Sequence, residues 1–120
     1  MDDLRIRRIY DPPSAEDGAR ILVDRIWPRG VSKDAAQLTE WLKEIAPSTS
    51  LRQWFHRDPT QWAEFARRYR AELDANSEAV ARLRDLLKAG PVTLLYGARD
   101  RDHNHAVVLV DYVAGREDRG

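Results

Sequence analysis

Two stretches of the chain concentrate side chains able to do chemistry. Asp24-Arg25-Ile26-Trp27-Pro28-Arg29-Gly30 brings a carboxylate, two guanidinium groups and an indole close together. Arg25 or Arg29 can clamp a phosphate or carboxylate through paired hydrogen bonds, and Trp27 can cover a flat ligand. Asp24 can accept a proton or hold an arginine in place. The second stretch, Arg99-Asp100-Arg101-Asp102-His103-Asn104-His105, carries two histidines, the side chains that titrate near neutrality. His105 is suited to carry a proton, with His103 and Asn104 as further ligand contacts. Structural explanations stand beside each: Asp24 with an arginine as an ion pair, Trp27 as core, and a histidine or asparagine as a helix cap. His103 and His105 lack the i, i+4 spacing of a zincin helix, so no metal is assigned. There is no Walker loop, no G-x-G-x-x-G and no zinc-finger spacing, and no cofactor is assigned either.

These loops need elements to position them. Leu4 to Tyr10 reads as a first strand, stopped by Asp11-Pro12-Pro13-Ser14. Ile21-Leu22-Val23 is an unbroken apolar run that suits a central strand covered on both faces. The pattern from Val31 to Phe55 is mixed and predicts two short helices. Asp58-Pro59 offers a cap and a first-turn proline for a helix to about Ala75, with Trp62, Phe65, Ala66, Tyr69 and Leu73 on one face. Ser77 can cap another helix, with Val80, Leu83 and Leu87 as its buried stripe and Gly90-Pro91 as its stop. Val92 to Tyr96 reads as a buried strand. Asp102 can cap a last helix that turns Ala106, Leu109, Val110 and Val113 inward and ends at Gly115; residues 116–120 read as a flexible tail. The order predicts one small α/β domain over residues 1–115, a mostly parallel sheet flanked by helices in a three-layer, Rossmann-like arrangement. Both charged stretches then fall at the carboxyl ends of strands, where such sheets bind ligands.

Composition narrows the classes. The 120 residues carry 20 Lys and Arg against 20 Asp and Glu, so bulk electrostatics do not hold this chain on nucleic acid or an anionic membrane. Nucleic acid is therefore not expected as a partner, and nor is a membrane, since no stretch approaches the length of a bilayer span. Cysteine is absent, which excludes disulfides and thiolate chemistry and suits a reducing compartment. With no apolar run of a secretory signal at its start, a cytoplasmic location is expected. The arginines of Arg67-Arg68-Tyr69-Arg70 and Arg82/Arg84 interleave with acidic residues and read as solvated helix faces. Ser48 to Ser50 read as caps, and His56 as a packed or surface histidine.

Asp17-Gly18, Leu22-Val23-Asp24-Arg25-Ile26-Trp27-Pro28-Arg29-Gly30, Ala46-Pro47-Ser48, Trp54-Phe55, Thr93-Leu94-Leu95-Tyr96 and His103-Asn104-His105-Ala106 together resemble the YeaO-like branch of the family called domain of unknown function 488. The resemblance runs from about Ile6 to Tyr112. It implies a small α/β fold and no established reaction, substrate or cofactor. The wider family has an L-V-D-V-R-x-x-P-R-S pattern, to which Asp24, Pro28 and Arg29 correspond, and a C-H-R pattern, to which His105 corresponds. Asn104 and Ala106 replace its cysteine and arginine, so thiol or second-arginine chemistry does not carry over. Two classes fit the chain: an enzyme acting on a phosphorylated or nucleotide-like anion, with Asp24 and His105 moving protons, or a non-enzymatic module binding a small anionic ligand or a nucleic acid.

Overall fold

The computed structural model describes residues 4–115, so the expected tail at 116–120 lies outside them. Four strands, β1 (Leu4–Arg8), β2 (Ala19–Leu22), β3 (Glu40–Trp41) and β4 (Val92–Tyr96), form one all-parallel sheet in the order β1-β4-β2-β3. β4 lies between β1 and β2, aligning Leu94 with Ile6 on one side and Ile21 on the other. All five of its residues are buried, as an apolar run in an interior strand should be. β2 is the second interior strand, as expected. β1 and β3 are the edges.

The five helices are α1 (Lys33–Ala36), α2 (Thr49–Arg57), α3 (Trp62–Asp74), α4 (Ser77–Ala89) and α5 (His105–Gly115). Strand side chains alternate between two cores. Ile21, Val23, Leu94 and Tyr96 pack with the apolar stripes of α2 to α5. Leu22, Leu95 and Ile9 point the other way, toward Ala36 of α1 and the flanking Trp27 and Trp41. The three layers are thus unequal, four helices on one face and a short helix with loops on the other.

Several boundaries differ from expectation. Asp58 does not cap α3. It closes α2, and its carboxylate accepts from the Thr60 hydroxyl at 2.5 Å and the Gln61 amide at 3.2 Å, winding residues 58–61 into a link before α3 begins at Trp62. Asn76, not Ser77, is the N-cap residue of α4, and its amide donates to the Glu44 carbonyl. Asn104 rather than Asp102 caps α5, its Oδ1 accepting from the Val107 amide. Of the two short helices expected between Val31 and Phe55, the one around Leu51, Trp54 and Phe55 forms as α2. Trp41 instead falls in the two-residue strand β3, with Leu42 just after it and Ile45 in a 3₁₀ turn, Lys43–Ile45, and the other short helix, α1, lies earlier. Gly18 permits the tight entry to β2: its φ is +65°, and a Cβ there would stand 2.3 Å from the Pro91 carbonyl oxygen.

The topology fixes where a site can form. The chain leaves β2 toward α1 on the thin face, whereas it leaves the adjacent β4 toward α5 on the thick face. Loops that part in opposite directions open a crevice at the carboxyl ends of the two strands. Among the described residues, no helix is long and apolar enough to cross a membrane.

Candidate functional site

Asp24 follows β2 by two residues, and its carboxylate turns toward the end of β4, where Oδ2 accepts the Gly97 amide at 3.0 Å. Glycine leaves room for this contact: a Cβ at Gly97 would lie 2.9 Å from that same oxygen, so the carboxylate would have to shift, and 3.5 Å from the Pro28 ring, an ordinary contact. His105, the first residue of α5, reaches back so that Nε2 stands 3.0 Å from the Val23 carbonyl and 3.1 Å from Asp24 Oδ1. A ring nitrogen between two acceptors carries the proton, so Nε2 is the donor and Nδ1 is left as the second nitrogen. The N–H is given to the carbonyl. Asp24 Oδ1 is shut from solvent without a hydrogen bond and meets the imidazole only as a neighbouring charge.

Behind this pair, the Tyr69 ring meets His105 edge-on at 6.3 Å and its hydroxyl donates to the Ile45 carbonyl at 2.7 Å. Burial pushes that hydroxyl well above the ordinary tyrosine range, Glu72 and Asp24 add to the effect, and Arg25 opposes it. Tyr69 is a neutral strut. Arg25 donates to the next two carbonyls, Ala46 at 3.1 Å and Pro47 at 3.2 Å, and so ties the β2 loop to the segment that enters α2.

These groups border a cavity of about 420 Å³ at the crevice, within the size range of small-molecule sites. Asp24, Arg25, His103, Asn104 and His105 all line it, so the two charged stretches do meet. Arg29 and Trp27 are not among the lining residues. The Arg29 side chain is exposed and its carbonyl accepts the Tyr10 hydroxyl. Trp27 packs edge-on against Trp41 at 5.3 Å, donates to the Val31 carbonyl and closes the thin-face core.

Asn104 is buried and serves the fold at both ends of its amide, giving Nδ2 to the Asp100 carbonyl while Oδ1 takes the Val107 amide. One N–H and one lone pair of that amide are thus committed to the fold. His103 stands at the rim, its ring 4.8 Å from Trp62. Asp100 shapes this loop by accepting the Asp102 and His103 amides, which hold its carboxyl below the ordinary range, with the nearby His103 adding to them.

Among the lining residues not named as site residues from the sequence are Arg52, Phe55 and His56 of α2, Phe65 of α3, Ile26 after β2 and Arg99 after β4. Among the described residues, neither the Arg52 nor the Arg99 guanidinium has an ion-pair or hydrogen-bond partner. The sequence placed a short helix before Phe55, but nothing in it announced that α2 would line the same cavity as Asp24. Also among the described residues, no group of three or more His, Cys, Asp or Glu could hold a metal ion.

Residues 3–119 match the family model described as "Inactive DUF488-N3 subclade". The chain is 47% identical to the uncharacterized protein YeaO of Escherichia coli over 111 residues, covering 92% of this chain and 96% of that one. It is 42% identical to uncharacterized proteins of Mycobacterium tuberculosis and Mycobacterium bovis over 113 residues, covering 94% of this chain and 95% of each relative. No solved structure matches it.

Proposed function

The chain belongs to the domain of unknown function 488 family, in its YeaO-like branch, and from that premise we propose that it is a binding module holding a small organic anion at the β2–β4 crevice. One observation carries the reading: three arginines, Arg25, Arg52 and Arg99, line the cavity against two aspartates. Arg52 and Arg99 are available to pair with a phosphate or carboxylate in two-pronged fashion. Neither aspartate competes strongly for them, since Asp24 is committed to Gly97 and lies beside His105, and Asp100 to its own loop amides.

Two further points favour binding over catalysis. A general base must reach the proton it takes. Asp24 offers one oxygen already hydrogen-bonded and one closed to solvent. The matching subclade, moreover, is described as inactive. Asp24 and His105 then act as the clasp that holds α5 against β2, with the imidazole as part of the cavity wall.

The test is thermal melting with inorganic phosphate and adenosine 5′-monophosphate. A ligand bound to the folded state alone raises stability by roughly 2.7 kcal/mol at a hundredfold excess over its Kd. Arg52→Ala and Arg99→Ala should each weaken binding by roughly tenfold, about the strength of one charge-assisted hydrogen bond. No shift in melting with either ligand sinks the proposal. An enzymatic reading rests on the carboxylate–imidazole pair at the cavity; turnover of a phosphorylated compound that vanishes in His105→Gln while binding persists would install it. Binding to DNA or RNA that weakens steeply with salt would favour a nucleic-acid module instead.

A further inference from the structure

Resting on the reading of this crevice as an anion site, we propose that its ligand carries a flat aromatic or heteroaromatic ring beside the anionic group. Size is the first reason. A cavity of about 420 Å³ has room for roughly a dozen waters at ~30 Å³ each, far more than one phosphate or sulfate needs. Guanidinium groups alone would satisfy such an ion and leave most of the space unfilled.

The nature of the wall is the second reason. Phe55 and Phe65 both line the cavity and stack on each other, centroids 4.4 Å apart and planes 23° from parallel. Phe65 is buried, so the half-buried Phe55 presents the stack to the cavity. Trp62 braces both rings at 5.9 and 5.8 Å. A wall of this kind is fixed before a ligand arrives, and a ring laid against it gains offset-stacking contact at little entropic cost.

The third reason is an uncovered side chain. Among the described residues, two large hydrophobic groups are exposed, Tyr10 and Ile26, and Ile26 lines this cavity at 61% exposure. Tyr10 has compensation, its ring under the Arg8 guanidinium and its hydroxyl on the Arg29 carbonyl. Ile26 has none, and a compact anion would leave it wet. A ring between Ile26 and Phe55 covers it, with its anionic substituent left for Arg52 or Arg99.

Calorimetry on the intact protein with four probes tests the proposal: inorganic phosphate, ribose 5-phosphate, phenyl phosphate and adenosine 5′-monophosphate. The ring-bearing anions should bind about tenfold tighter than the ring-free ones. Phenyl phosphate alone gaining the advantage identifies a small aryl anion, and both gaining it extends the class to nucleotides. Phe55→Leu, which keeps apolar bulk, and Ile26→Ser, at an exposed position, should each reduce the ring preference while leaving inorganic phosphate affinity unchanged. Equal affinity for all four probes, or a preference untouched by both substitutions, overturns the ring while the anion site survives. Absence of binding by every probe removes both proposals.

Discussion

Gly97 has no side chain because Asp24 uses the space one would fill. Gly97→Ala puts a methyl group 2.9 Å from the carboxylate oxygen that accepts the Gly97 amide, with the Pro28 ring 3.5 Å away. The carboxylate has to shift, which weakens its bond to the Gly97 amide. We expect a loss of about 1–3 kcal/mol in denaturant-induced unfolding, the usual cost of a buried group losing its partner, with collapse of any anion binding. Arg29 gives the contrasting case. The sequence offered it beside Arg25 as an anion clamp, yet its side chain is exposed and outside the cavity lining. Arg29→Ala should leave the affinity of the best-binding probe within about twofold, a change on the order of 0.4 kcal/mol, whereas Arg52→Ala should not. Asp24, Arg25 and His105 were legible because strand ends in a parallel sheet converge. Arg29 was misleading because direction along a loop is set by packing, here Trp27 turning onto Trp41.

α2 carries Arg52, Phe55 and His56 into the site, so its anchorage decides how well the wall is held. The Ser48 hydroxyl accepts the Leu51 amide and donates to Glu72 Oε2 at 2.6 Å, while the Ser48 amide donates to Oε1 of the same carboxylate at 2.8 Å. One cap therefore ties α2 to α3. Ser48→Ala removes the cap and one of those two bonds, and should cost about 1–2 kcal/mol. Hydrogen exchange should speed up in α2 and change little in α4, and uniform acceleration would contradict this account. The long helices and the three longer strands were readable from periodicity and apolar runs. β3 was not, since two residues carry no alternation and Glu40–Trp41 is a strand only by pairing with Ile21 and Leu22. Capping was readable at Ser48, which does cap α2, and misplaced for α3: Asp58 looks the same in sequence whether it opens α3 or closes α2.

Across the whole molecule, the stability of the thin face depends on a buried charge. Asp17 is 1% exposed and accepts from Arg20 at 2.5 Å, from the Ser14 amide at 3.0 Å and from Arg7 at 3.4 Å, while Arg20 also donates to the Ala36 carbonyl under α1. Burial pushes the carboxyl up, but these donors and charges outweigh it and hold it below the ordinary range. A carboxyl depressed on folding stabilises the protein above its unfolded value, near pH 3.9, and that stabilisation is lost as pH falls through the folded value. Unfolding free energy should therefore drop below about pH 4. Asp17→Asn should cost about 3 kcal/mol at pH 7 by leaving Arg20 buried without its counter-charge, and should flatten that acid limb. An acid limb as steep in Asp17→Asn as in the parent would assign the loss to other carboxylates. The edge strand β1, finally, carries Arg5, Arg7 and Arg8 in five residues. An uncovered strand edge invites a neighbouring molecule to continue the sheet, and clustered positive charge repels an identical approaching edge. On β1 part of that charge is met inside the molecule, Arg5 facing Glu16 at 3.7 Å and Arg7 facing Asp17 at 3.4 Å. The Arg8 guanidinium is the one of the three with no carboxylate partner among the described residues, and it stands as one obstacle to a fifth strand.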